Sequence, residues 1–470
     1  MVSYNMPSRR RYTLIVACLV VFSLYQIFML KNPNPLHDRR LSPSPDQPLS
    51  EAAKSPSLTS DFSSQGSSES LFCADRFGAR YLENLGNAAV EYCTRDSPSP
   101  LTCFHVSVSA DHRVDTFCIG QNTVYDPKTQ KFDLQCELGE LDVPDALDSI
   151  PLYGNFRKYW YGSGPHGIFD DWVTLQKITK YGAPDIPPKY KVLVKREGSH
   201  NLWHSMMEIF SITMSMDVLS ISQQLHDAHP KLAPANSYNT QVVLLDEYED
   251  GPYSDLWSIL SNEPPLRIKD LPAEVTSENI IVPLAGASNP FWEGDWETSL
   301  CTDSVLLRTF TDRVLRLYGL EDWKPQRTEH ISLTFINRTQ SRRLIDQEEY
   351  LKIIQSRFPN VEVLSIDFAA IPFRKQLEII RRTDILLGVH GAGLTHSMFL
   401  PPRSTIIEIL PPSLNHKGFH NVASVLGHSY YSGHGDRTRA QTKNTDWHAE
   451  DVFIEKEMFM NLMNAAMETM

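Results

Sequence analysis

At 470 residues the chain is too long for one small core and long enough for two domains with extra segments. Its net charge is −13 and its isoelectric point about 5.7. With no basic stripe to follow a phosphate backbone, the sequence argues against nucleic acid as a partner.

Residues 1–11 form a short basic tail ending in Arg9-Arg10-Arg11. Residues 12–30 are almost wholly apolar, and nineteen helical residues just span a bilayer core. Phe28-Met29-Leu30-Lys31 offers no small-residue cleavage site, so a transmembrane signal anchor is expected rather than a cleaved signal peptide. Arg9 to Arg11 on one side are nearly balanced by Lys31, Arg39 and Arg40 on the other. Orientation therefore rests on the cysteines and on one sequon, Asn337-Arg338-Thr339. Both place the body in the secretory lumen, whether of the Golgi or of the endoplasmic reticulum, behind a single-pass type II anchor. Residues 31–70 are rich in Ser and Pro and read as a disordered stem.

Seven cysteines occur. Cys18 lies in the apolar segment; Cys73, Cys93, Cys103, Cys118, Cys136 and Cys301 lie beyond it, with no C-x-x-C pair. Six cysteines in a secretory compartment predict disulfides, with fifteen possible pairings. Residues 71–189 are expected to form a cysteine-rich cap and a connecting loop.

Residues 190–320 read as a first α/β domain. Lys191–Val194, Gln241–Leu245 and Asn279–Pro283 suit strands. Leu202–Ser220 suits a long helix, Tyr253–Leu260 a short one, and Ser304–Tyr318 an amphipathic helix capped by Asp303. His200, His204 and Glu208 recur every four residues and share one helix face. They offer an imidazole or a carboxylate for proton abstraction, or plain cap and core residues. His200 and His204 have the spacing of metal ligands, but there is no H-E-x-x-H and no third ligand, so no metal site is assigned. Asp246 opens an acidic loop, Asp246–Asp250, suited to deprotonating a hydroxyl, to a divalent ion, or to a solvated turn.

After a charged linker at 321–329, residues 330–470 alternate again: strand Ile331–Ile336, helix Gln347–Arg357, strand Val361–Ile366, helix Phe373–Thr383, strand Ile385–Val389. Then come His390, Gly391, Ala392 and Gly393, a short helix Leu394–Leu400, strand Thr405–Leu410 and a helix near His416–Leu426. The last twenty residues, Asp451–Met470, are expected to be helical and to cross back over the first domain. The glycine turn lies at the carboxyl end of a buried strand, where open α/β sheets bind ligands. Its backbone N–H groups suit a phosphate. Arg338, Arg342 and Arg343 follow strand 331–336 and suit a diphosphate, or form a solvated patch with Asp346 and Glu348. Glu408 inside an apolar strand is either a satisfied structural carboxylate or a ribose acceptor.

Three stretches together resemble glycosyltransferase family 61: Glu197-Gly198-Ser199-His200-Asn201-Leu202-Trp203-His204, Asn337-Arg338-Thr339 through Arg343, and Gly388-Val389-His390-Gly391-Ala392-Gly393-Leu394-Thr395. The resemblance covers residues 191–412. It implies two Rossmann-like domains of GT-B type facing a cleft. It also implies an inverting transferase that moves a sugar, GlcNAc or xylose, from a UDP-sugar to a hydroxyl of a glycan or glycoprotein. The expected donor site is Arg338, Arg343, His390, Gly391, Ala392, Gly393, Leu394, Thr395 and, for the ribose, Glu408. The candidate bases are His204, Glu208 and Asp246. The membrane partner is residues 12–30, and no tightly bound cofactor is expected. A catalytically inactive glycan-binding protein on the same scaffold is the alternative; a hydrolase lacks a nucleophile.

Overall fold

The computed structural model describes residues 62, 70–108, 113–141, 150–176, 189–226, 239–261, 263–272, 277–322, 330–436 and 447–470. Among these no helix is long and apolar enough to cross a membrane. The tail, the anchor expected at 12–30 and the stem, apart from Phe62 and Ser70, lie outside them, as does linker 323–329.

Two helices, α1 (Leu71–Phe77) and α2 (Ala79–Asn87), precede strands β1 (Ala89–Glu91), β2 (Leu101–Val108), β3 (Arg113–Asp126) and β4 (Lys131–Gln135). Helix α3 (Pro165–Trp172) and strand β5 (Val173–Gln176) follow. The first parallel unit is β6 (Lys189–Val194), α4 (Leu202–His226), β7 (Thr240–Leu244), β8 (Leu266–Arg267) and β9 (Ser277–Val282). These strands join one nine-stranded sheet whose main path runs β1-β2-β3-β9-β6-β7-β8. The cysteine-rich segment belongs to this sheet, because β3 pairs antiparallel with β9. Its bridges are Cys93–Cys136 and Cys103–Cys118; a third, Cys73–Cys301, ties α1 to a segment 228 residues away.

Helices α5 (Pro290–Glu293) and α6 (Val305–Leu317) lead to the second sheet. Ser304, not Asp303, caps α6: its Oγ accepts the Leu307 N–H at 3.1 Å, while Asp303 holds Arg308. The second sheet comprises β10 (Ile331–Ile336), β11 (Val361–Ile366), β12 (Ile385–Val389), β13 (Thr405–Leu410) and β14 (Ser429–His434), with helices α7 (Gln347–Arg357), α8 (Phe373–Ile380), α9 (Gly418–Leu426) and α10 (Lys456–Glu468). All five strands are parallel, in the order β11-β10-β12-β13-β14. Every residue of β12 and β13 is buried, which explains why both read as unbroken apolar runs. Strand β14, Ser-Tyr-Tyr-Ser-Gly-His, escaped the sequence reading because it is a half-exposed edge with no apolar run.

Helix α10 does not cross to the first sheet. Phe459, Leu462, Met463 and Ala466 bury themselves against Leu333, Phe335, Val389 and Ile407 of the second. A larger apolar cluster carries α4 of the first unit onto the second, through residues such as Trp203, Leu394, Met398 and Phe419. Trp203 meets Phe419 edge-on at 5.3 Å.

Candidate active site

The order of the second sheet reverses between β10 and β12: β10 leads outward to β11, whereas β12 leads the other way to β13 and β14. Loops leaving the two carboxyl ends there diverge and open a crevice, the place where sheets of this order hold ligands. The loop after β10 brings Arg338 and Arg342; the loop after β12 brings His390 and Gly391. A Cβ on Gly391 would lie 2.6 Å from Arg338 Nη1 and 3.3 Å from Arg342 Nη1. Gly391 also has φ +153°, a conformation open to glycine. Both facts demand glycine where two guanidinium groups meet the turn.

Arg338 is fixed by its Nε donating to the Ser341 carbonyl at 2.8 Å. Burial penalises its charge, and among the described residues it makes no ion pair. Arg342 lies over the Trp447 ring at 5.5 Å. Arg343 turns the other way: its guanidinium is half-exposed and held by Asp451 at 2.6 Å. It borders a cavity of about 790 Å³ that Asn337, Arg338, Asp346 and Asp451 also line.

The rest of the turn divides. Ala392 and Gly393 are partly exposed at the crevice, whereas Leu394 and Thr395 are fully buried beneath it. His396 is buried too; its ring nitrogens meet the Gly393 carbonyl and the Gln376 amide oxygen, each at 2.7 Å. Glu408 is fully buried, one oxygen 2.5 Å from His390 Nδ1 and the other accepting from Tyr430. The ribose role expected of Glu408 therefore gives way to the structural one: it holds His390. Donation from Nδ1–H to this carboxylate leaves His390 Nε2 toward the crevice.

On the facing side stands His204, in the first turn of α4. Asn201 caps that helix, accepting from the Trp203 N–H at 3.0 Å. Gly198, at φ +134°, turns the chain so that the Glu197 carbonyl meets His204 Nδ1 at 2.9 Å. Nδ1 must then carry the hydrogen, leaving the Nε2 lone pair free. Burial lowers the imidazole pKa, countered by the Glu197 carbonyl and by the charge of Asp295, so the ring is neutral near pH 7. His200, which shares the helix face in sequence, is exposed.

The other two base candidates are engaged elsewhere. Asp246 accepts from the Arg196 N–H and from its Nε and Nη2, the last at 2.7 Å, a structural clamp. Glu208 is fully enclosed, and burial, with the charges of Glu197 and Asp246, raises its pKa well above the carboxylate range. Its enclosure in the core keeps it from a hydroxyl in the crevice.

Several site residues escaped the sequence reading. His416 Nδ1 accepts the Gly418 N–H, so its Nε2–H donates to Asp295, 3.0 Å away. The Asp295 carbonyl accepts from the Lys417 N–H at 2.6 Å. His416 lies 4.7 Å from His390, and Trp292 lies 4.3 Å from His204. Asp295 and His416 thus link the two histidine sites. The cluster Phe-Trp-Glu-Gly-Asp-Trp at 291–296 was a signal in its composition, since acids among tryptophans are unusual in a core. Among the described residues no three His, Cys, Asp or Glu side chains converge as a metal site.

A parallel sheet with two arginines converging on a glycine turn at its switch point defines an α/β protein with a positively charged crevice. Residues 202–407, from the helix of His204 to strand β13, match the family model Glycosyltransferase 61. The chain is 27% identical over 227 residues to the EGF domain-specific O-linked N-acetylglucosamine transferase of Drosophila melanogaster, covering 46% of this chain and 40% of that protein. The Bos taurus protein of the same name is 28% identical over 184 residues, 37% of this chain and 34% of its own length. The Mus musculus protein is 32% identical over 112 residues, 23% and 21% respectively. The chain thus spans less than half the length of the curated relatives it matches.

Proposed function

We propose that this protein is an inverting glycosyltransferase of GT-B type, moving a sugar from a UDP-sugar to a hydroxyl across the crevice between its two sheets. The observation that carries the reading is the meeting of Arg338 and Arg342 over Gly391 at the switch point. A nucleoside diphosphate leaving group gathers negative charge as the bond to the sugar breaks, and two fixed guanidinium groups stabilise it there. The attacking oxygen loses its proton to His204 Nε2 and bonds to the anomeric carbon from the face opposite the diphosphate. The leaving oxygen takes the electron pair of the broken bond. The relatives' name supports GlcNAc as the donor sugar; xylose is the second expectation.

The test is release of UDP by the purified body from a panel of UDP-sugars, with Arg338→Ala beside it. Release from one sugar, lost in the variant, supports the reading. A parent that neither binds UDP nor releases it leaves the silent glycan-binding protein as the answer.

We also propose a type II Golgi protein, anchored by residues 12–30. Three disulfides support an oxidising compartment. Protease protection of the body in sealed microsomes tests this; digestion without detergent overturns it.

A further inference from the structure

Resting on that reading, we infer that Tyr161 and Trp296 form an acceptor subsite that takes the face of a pyranose ring, so that the attacked hydroxyl belongs to a saccharide. One ring rests on the base and the other on the histidine that holds Asp295. Tyr161 meets His204 edge-on at 5.6 Å, and Trp296 meets His416, the partner of Asp295, at 5.3 Å. Both are open to solvent, Tyr161 at 40% and Trp296 at 56%; Trp160, beside Tyr161, is 81% exposed. Large exposed aromatic rings seated on His204 and His416 mark a binding surface rather than scattered surface residues. Trp292, the other ring against His204, is by contrast buried.

The chemistry of the surface fits a sugar. A pyranose presents an apolar C–H face, which a flat ring covers, and a rim of hydroxyls. Here the rim would meet His204 Nε2 and the Asp295 carboxylate, both acceptors. An extended polypeptide needs a row of free backbone groups to pair with. The segment leading to Trp296 does not supply one. The N–H groups of Trp292, Glu293, Gly294, Asp295 and Glu297 all bond within their own turn, and those of Gly162 and Gly164 return to Tyr159 and Lys158.

The experiment titrates the purified body with methyl glycopyranosides and hexose di- and trisaccharides, reading tryptophan fluorescence. It then measures transfer to the same saccharides and to a folded EGF-like domain. Binding of at least one saccharide is expected, with the signal lost in Trp296→Ala. The acceptor KM should rise at least tenfold in Trp296→Ala and Tyr161→Ala, and recover within twofold in Trp296→Phe and Tyr161→Phe, which keep the ring. UDP affinity, read by calorimetry in each variant, reports whether the donor half is folded and so separates this inference from the parent reading. Transfer to the EGF-like domain with no saccharide accepted overturns it, as does an unchanged acceptor KM in both alanine variants. If the alanine variants do not fold, the phenylalanine and parent proteins still decide: a parent that binds none of the saccharides overturns the inference.

Discussion

Arg338 and Arg342 reach one glycine from a single loop, and their contributions should be separable. A charge-assisted hydrogen bond is worth about 1.5–3 kcal/mol. Arg338→Ala should therefore weaken UDP by about tenfold to a hundredfold, with thermal stability nearly unchanged; calorimetry and a melting curve check both. Arg343→Ala, whose guanidinium sits with Asp451 away from Gly391, should weaken UDP by less than threefold. His204 is expected to set the acid limb of the pH–rate profile. Its pKa is lowered by burial, so kcat/KM should hold from pH 7 down past the ordinary histidine value near 6.5 before it falls. His204→Ala should lower kcat by about a hundredfold or more with UDP affinity retained. At this scale the sequence was readable where a motif fixed the neighbours. Arg338, His390 and Gly391 sit one after another along strand ends, and those ends meet. Which arginine of the cluster turns inward was not readable: Arg342 has φ +52° and Arg343 bonds Asp451, a residue over a hundred positions away. Glu208 and Asp246 misled for a related reason, since burial and the Arg196 clamp are tertiary facts.

The glycine turn, as an element, works by shape. Gly391→Ala would strain the backbone at φ +153° and push a methyl into Arg338. The expected result is loss of UDP binding at least as large as in Arg338→Ala, together with a lowered melting temperature. Strand β2 gives a different test. His105 is buried, its Nδ1 facing the Thr116 hydroxyl at 2.9 Å and its Nε2 the Tyr92 hydroxyl, which itself donates to the Pro151 carbonyl. Burial lowers its pKa to about 4. Between pH 6.5 and 4 the unfolded chain holds a proton there that the folded chain does not, so stability falls as pH falls. The contribution is about 1.4 kcal/mol per pH unit across that window. Comparing parent and His105→Gln melts from pH 7 to 4 isolates it; parallel curves would refute the assignment. Strands β10 to β13 of the second sheet were legible to the residue, β12 and β13 because parallel strands buried on both faces leave apolar runs that stop at glycine, proline or charge, whereas the edge strand β14 was not. The first sheet was less so. Its antiparallel partners come from the cysteine-rich segment, and pairing of β3 with β9 joins residues some 160 positions apart, which no local pattern encodes.

For the molecule as a whole, the segment 294–301 joins the two halves. Asn421 Nδ2 donates to the Gly294 and Glu297 carbonyls while its oxygen accepts from Ser299 N–H, and Ser424 donates to the Cys301 carbonyl. Cys301 is bridged to Cys73 in α1. Closing so long a loop restricts the unfolded chain, with stabilisation of up to about 5 kcal/mol. Cys301→Ser should melt several degrees lower than the parent.

The same stitching sets how the crevice can work. Halves held together by Asn421 and Ser424 on the backbone of segment 294–301 should resist swinging as jaws around an incoming nucleotide. UDP should leave the radius of gyration in solution scattering unaltered, and its heat-capacity change should match only the surface the nucleotide itself covers. Traffic of donor and product then falls to short rim segments rather than to any hinge. Turnover in this protein should accordingly be indifferent to crosslinks placed across the two sheets, where a jawed transferase would stall.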